Sequence, residues 1–206
     1  MMVAAIKRIL KNYVKSPLNQ IFWEFYGKSI QQPKLPQIPS SILFICKGNI
    51  CRSPFAEKRA NYIMQNECTD RYTVLSAGLE VSKRIEPPEA AIIAGDHFGL
   101  SLGEHLSQPI DQDMVNAADV VVAMESRHLR ILNSRYPGYA GKFFLMPFFE
   151  LTNTKQYRGY PRYNIEDPYG KNVEEFVKCF NRLDKCLAGL FAMLQFTSKK
   201  HQKRPS

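Results

Sequence analysis

Residues 42–54 read Ile42-Leu43-Phe44-Ile45-Cys46-Lys47-Gly48-Asn49-Ile50-Cys51-Arg52-Ser53-Pro54, and this stretch decides the fold. Its first four residues are apolar and rich in β-branched and aromatic types, which fits a strand covered on both faces. Ser53 is a good helix N-cap, and Pro54 suits the first helical position, where a missing N–H has no partner to lose. The short loop between them holds Gly48 and Asn49, residue types that tolerate left-handed backbone. Such a loop turns its N–H groups inward, with the positive end of a helix dipole behind them. The pattern predicts an anion cradle.

Cys46 stands at the strand end and Arg52 closes the loop, giving Cys-x5-Arg-Ser. A thiol among inward N–H groups, a helix start and a guanidinium ionises more readily than a free cysteine. The planar fork of Arg52 matches two phosphate oxygens. A thiolate facing a bound phosphate is set to attack phosphorus and form phosphocysteine. The N–H groups of residues 47–52, with Arg52, then stabilise the transition state, roughly 3–4 kcal/mol per good donor. Ser53 is placed to hydrogen-bond the thiolate. The departing oxygen needs a proton, and Asp167, in a predicted loop before Pro168, is the candidate acid, a role worth ~10²–10⁴-fold. No His/Cys/carboxylate cluster shows ligand spacing, so no metal and no cofactor is expected.

The run Phe44 to Glu57 resembles the signature of the low-molecular-weight protein tyrosine phosphatases. The resemblance continues in order through Ser76-Ala77-Gly78, Ala118-Asp119 to Ala123-Met124-Glu125, and Glu166-Asp167-Pro168-Tyr169, and covers roughly residues 41–195. It implies an α/β three-layer sandwich around a four-stranded parallel sheet. It implies Cys46 as nucleophile, Arg52 as phosphate binder and Asp167 as general acid and base. Lys47, Gly48, Asn49, Ile50, Cys51 and Ser53 then line the phosphate site, and Tyr169 stacks on an aryl leaving group. By the same resemblance Asn49 holds the loop's shape, with Ser76 and His105 bonding to it, and Cys51 can form a reversible disulfide with Cys46. The implied partner is a tyrosine-phosphorylated protein (bacterial relatives oppose tyrosine kinases), with inorganic phosphate as product.

Two other activities belong to this fold. An arsenate reductase requires two further cysteines after the second strand, and residues 77–125 contain none. A phosphoarginine phosphatase is associated with threonine at the position of Ile50, so Ile50 points to aryl phosphates. The chain also departs from the family: Lys47 replaces an apolar or small residue, residues 79–84 lack an aromatic, and Gly170 replaces a second aromatic. These departures bear on substrate choice.

The net charge of +9 sits on the ends. Residues 1–40 carry six Lys/Arg against one acid and residues 197–206 four against none, which leaves eighteen of each sign between them. A neutral body argues against nucleic acid, which requires a basic stripe on the fold itself. Five cysteines, an odd number with two in one loop, read as a reduced, cytoplasmic protein. No apolar run approaches the ~18 residues of a membrane span, and Met1 to Ile6 is too short for a signal-peptide core.

The expected organisation is a basic amphipathic helical extension over 1–30, a proline-rich linker over 31–40, a catalytic domain over 41–196 and a basic tail over 197–206. In the extension, Val3, Ile6, Leu10 and Tyr13, then Leu18, Ile21, Phe22 and Phe25, recur at helical spacing. Their apolar faces are expected to pack on the catalytic domain or between subunits, with a membrane surface or acidic partner as the alternative. Pro33, Pro36 and Pro39 favour an extended polyproline spacer. Further on, helices are expected over 54–66, 88–98, 126–134 and 172–196, and strands over 72–76, 119–123 and 143–146. Strands alternating with helices imply a parallel sheet with its ligand beyond the strands' carboxyl ends. Tyr157, Tyr160, Tyr163 and Tyr169, with Lys155, Arg158 and Arg162, are expected to form a wall beside the site. Cys179 and Cys186 read as thiols at the edge of the core.

Overall fold

The computed structural model describes residues 22, 23, 25, 27, 30, 32–37, 39–66, 72–151 and 156–202, without the side chains of 195–202. The expected first helix of the extension, Cys68, Lys155 and the side chains of the basic tail lie outside the described residues.

The apolar run opens β1 (Ser41–Cys46), followed by α1 (Arg52–Asn66) and β2 (Thr73–Gly78). Then come α2 (Glu89–Asp96), α3 (Gln112–Ala117), β3 (Val120–Ala123), α4 (Ser126–Arg135), β4 (Phe143–Leu145), α5 (Tyr160–Tyr163) and α6 (Val173–Gln202). Short 3-10 segments flank β4 at Pro137–Lys142 and Met146–Phe149. The strands form one parallel sheet in the order β2-β1-β3-β4. It is the expected α/β sandwich.

Alternation along the strands divides the core. Ile42 and Phe44 of β1 face a layer in which α1 and α6 meet, where Phe55 stacks on Phe180 with ring centroids 4.0 Å apart. Leu43 and Ile45 face a second layer with Val115 of α3 and Leu129 and Leu132 of α4. Cys186 belongs to the first layer and is fully buried, inside the core and not at its edge.

Helix α3 has no counterpart in the sequence reading, because only Met114 and Val115 among its six residues are strongly apolar. Its start is fixed by Asp111, whose side chain accepts the N–H of Met114 at 2.8 Å. The first helix begins two residues earlier than expected. Ser53 therefore lies inside the first turn, and its hydroxyl turns to Cys46 instead of capping backbone.

Phe22, Trp23, Phe25 and Gly27 are helical, and this arm lies against the catalytic domain. Trp23 and Ile30 pack on the α4 side of the sheet and Leu35 on the α6 side. Between them the arm passes the edge strand, where the Gln32 side-chain oxygen accepts the N–H of Leu145 at 2.8 Å. Across the start of the sheet, Asp119 accepts from the backbone of Ser40 and Ser41 and from both hydroxyls at 2.7–3.1 Å. Partial burial works against its charge, but these donors outweigh that and hold its carboxyl below the usual range.

Candidate active site

Cys46 ends β1 in register with Gly78 of β2, which places the cradle beyond the carboxyl edge of the sheet. Gly78 permits the closeness. A Cβ there would meet Lys47 O at 2.9 Å and Asn49 N at 3.0 Å. The chain after β2 then ties to the loop, with Leu79 N–H donating to Cys46 O and Glu80 N–H to Lys47 O.

Asn49 is the hub of the cradle. It is buried and left-handed (φ 52°), a conformation asparagine adopts at little cost. Its backbone N–H donates to Cys46 Sγ at 3.2 Å. Its Nδ2 donates to Ser53 Oγ at 3.0 Å and Ser76 Oγ at 2.8 Å. Its Oδ1 accepts the Gln108 N–H at 2.9 Å and lies 3.1 Å from His105 Nε2, which also reaches Asn49 O at 2.9 Å. Both neighbours of that nitrogen are acceptors, so the Nε2–H tautomer fits. Burial holds His105 below its ordinary pKa, with the bond to Asn49 acting the other way. Ser53 Oγ completes the relay by donating to Cys46 Sγ at 3.0 Å. At its far end Ser76 Oγ donates to Glu57 at 2.5 Å, and burial keeps that carboxyl above its usual range.

Arg52 is 1% exposed and held on two sides. Its Nη1 donates to Glu125 Oε1 at 2.5 Å and to Ile165 O at 2.8 Å, and its Nη2 pairs with Asp167 Oδ2 at 2.7 Å. Burial opposes its charge, but Asp167, Cys46 and Glu125 prevail, and it stays protonated. Its Nε–H is buried with no protein partner, a donor available to a ligand oxygen. Behind it lies His128, buried, 3.6 Å from Glu125 Oε1 and with neither ring nitrogen hydrogen-bonded. Burial, with the charges of Arg52 and Arg127, pushes its pKa down to about 3.

The cavity over Cys46 holds about 250 Å³. Lys47, Gly48, Ile50, Cys51 and Arg52 form its base, Glu80 to Lys83 and Ile85 one wall, and Asp167 and Tyr169 the other. The structure thus brings every residue expected to bind or react with the phosphoryl group to one place, with Asn49 and Ser53 just beneath. Lys47 at the mouth pairs with Glu80 at 3.4 Å. Cys46 and Cys51 are both free thiols, and burial beside Cys46 pushes the Cys51 thiol up. Among the described residues no group of three or more His, Cys, Asp or Glu is placed to hold a metal ion. A larger apolar cavity of about 620 Å³, between Gln32, Leu35, Phe144 and Met193, lies away from this chemistry.

The four tyrosines do not form one wall. Tyr169 is 62% exposed at the pocket, whereas Tyr163 is core and Tyr157 lies under the Arg182 guanidinium, 3.9 Å from ring centre to Cζ. Tyr160 donates to Glu125 Oε2 at 3.1 Å. Burial and that carboxylate push its phenol up. Glu125, Asn164 and Arg182 are structural partners of the site that sequence reasoning missed. Asn164 Oδ1 accepts the N–H and hydroxyl of Ser126 at 2.9 Å, and Arg182 bonds Glu150, Asn164 O and Pro161 O. The available signal was an acid directly after a run of buried apolar residues, since Glu125 follows Val120 to Met124.

The model of the low molecular weight phosphotyrosine protein phosphatase family matches residues 41–202. The chain belongs to that family. It is 31% identical over 147 residues to the low-molecular-weight protein-tyrosine-phosphatase Etp of Escherichia coli K12, covering 71% of this chain and 88% of Etp. It is 28% identical over 156 residues to a protein-arginine-phosphatase of Bacillus subtilis, covering 75% of this chain and 96% of that one. Among solved structures, the Erwinia amylovora tyrosine phosphatase AmsI superposes with a TM-score of 0.65 at 27% identity, over 76% of this chain and 93% of AmsI. The family match starts at residue 41, so the arm and its contacts are additional to the family fold.

Proposed function

We propose that this chain hydrolyses phosphotyrosine in proteins through a phosphocysteine intermediate. The observation that carries the reading is the cradle itself. One sulfur accepts both a loop N–H and a serine hydroxyl, beside a buried arginine with an unpartnered Nε–H. Phosphate enters on that donor and the loop N–H groups, and Cys46 Sγ attacks phosphorus as the aryl oxygen leaves. The phosphate's charge competes with Asp167 for Arg52; freed from that pair, the carboxylate takes up a proton from solvent or from the entering phosphate monoanion and, as the acid, gives it to the departing aryl oxygen. In the second half-reaction the same carboxylate takes a proton from the water that attacks phosphocysteine. Ser53 steadies the sulfur as it departs.

Tyr169 offers an exposed aromatic face to the leaving group, and Lys47 and Lys83 favour acidic residues beside the phosphotyrosine. A reducing compartment such as the cytoplasm completes the reading, since Cys46 can act only in its reduced form.

The test is quenched turnover with an aryl phosphate followed by mass spectrometry, which should find one added phosphoryl group on the peptide bearing Cys46. Parallel assays with phosphotyrosine and phosphoarginine peptides should favour phosphotyrosine. Preference for phosphoarginine would move the chain to the other activity named among its relatives.

A further inference from the structure

The search for chemistry outside the cradle ends on the arm. Trp23 meets Tyr160 edge-on at 5.2 Å between ring centroids and stacks on Tyr163 at 6.2 Å with planes 22° apart. Gly27 lies so close to Tyr163 that an added Cβ would sit 1.9 Å from its Cζ. The two tyrosines bracket α5, the turn that leads into Asp167.

On its other side the same turn touches the buried arginine. The Tyr160 hydroxyl donates to one oxygen of Glu125, and the other oxygen takes the Arg52 guanidinium. Arg127 also approaches the Tyr160-bonded oxygen, at 3.5 Å. Without the phenol that oxygen keeps only the half-exposed Arg127, so the carboxylate is free to rotate about its bond to Arg52 and the back support of Arg52 turns with it. A reacting geometry is sensitive to such shifts: about 1 Å of misplacement can cost ~10²-fold.

We propose that the arm is a positioning element for catalysis: Trp23 seats Tyr160, with Gly27 closing on Tyr163 at the other end of the same turn, so that the Tyr160 hydroxyl orients Glu125, and through it the phosphate-binding Arg52. The inference rests on the phosphatase reading of Arg52. Coupling of this kind is reciprocal, so phosphate at Arg52 also tightens the arm. Trp23 is the chain's single tryptophan, and its emission reports that effect directly.

The experiment uses the full chain, aryl phosphate hydrolysis and inhibition by inorganic phosphate. Trp23→Ala, Gly27→Ala and Tyr160→Phe should each lower kcat/KM roughly 10-fold and weaken phosphate inhibition to match. Trp23→Phe should keep most of the activity. Because Trp23 acts through the phenol, Trp23→Ala combined with Tyr160→Phe should be no worse than either alone. Phosphate should shift Trp23 emission in the wild type and not in Tyr160→Phe. A purely structural arm gives another pattern: a lower thermal midpoint with kcat/KM and phosphate inhibition unchanged in the single and the double variants. That pattern overturns the proposal. Should Trp23→Ala fail to fold, Tyr160→Phe, which keeps the ring, decides alone. A wild type without phosphatase activity counts against the reading of the site, while the emission titration still tests the link from arm to arginine.

Discussion

The two halves of the site are built differently. The nucleophile half comes almost entirely from residues 46–78, is buried, and closes on itself: Asn49 bonds the sulfur, both serines, His105 and Gln108. The acid half comes from over a hundred residues downstream. The Asp167 side chain is 37% exposed and its protein anchor is an ion pair with Arg52, together with a local turn in which Tyr169 N–H donates to Oδ1 at 3.2 Å. A half that must stabilise charge gains from rigidity, since donors already in place need no reorganisation. A half that must pass a proton gains from a contact that the substrate itself can displace.

The strongest way to break this contrast is at the sulfur. Cys46→Ser should abolish measurable turnover of an aryl phosphate while phosphate still binds; residual wild-type turnover would remove the covalent step. Asp167→Ala comes next, with an expected loss of ~10²–10⁴-fold in kcat for a phenol of ordinary acidity. The loss should shrink as the leaving phenol becomes more acidic, and a penalty independent of the leaving group would deny Asp167 the proton.

Asn49→Ala should show the cost of rigidity. It strands several buried partners and places alanine in left-handed backbone, so chemical denaturation should find about 3 kcal/mol less stability. Activity should fall with it. A variant as stable as wild type would mean that the loop holds its shape without this hub.

The smallest expected effect is a slope. His128 is neutral when folded, with a pKa near 3, whereas an unfolded histidine titrates near 6.5. Below about pH 6.5 the unfolded chain therefore binds the extra proton, and stability is lost progressively as pH falls toward 3. Unfolding free energies across pH 4–7 should flatten in His128→Gln. An unchanged slope would place the acid sensitivity elsewhere, with His105 and Asp119, both held below their ordinary pKa in the fold, next to examine.

The same contrast explains what the sequence made legible. The nucleophile half is one contiguous motif, so strand, loop, helix, Cys46 and Arg52 could be read together. The four strands were also readable, because buried parallel strands leave plain apolar runs. Glu125, Asn164, Arg182 and Tyr160 belong to four segments that meet only through topology, and no spacing links them. The helix α5 escaped notice because Pro161 and its aromatics read as loop, whereas Arg182 and Trp23 fix its position. Ser53 was legible in two ways, as a helix cap by local propensity and as a donor to the sulfur by its place in the motif, and the hydroxyl makes the second bond.

Gln32 has a consequence of its own. By occupying the N–H of Leu145 on the outermost strand, it keeps that border from recruiting a neighbouring molecule, the hazard every open sheet carries. A chain trimmed to begin at residue 41 would thus suffer two separable injuries. Misaimed arginine is the same at every dilution, whereas sticking between copies grows with concentration, and a dilution series tells them apart.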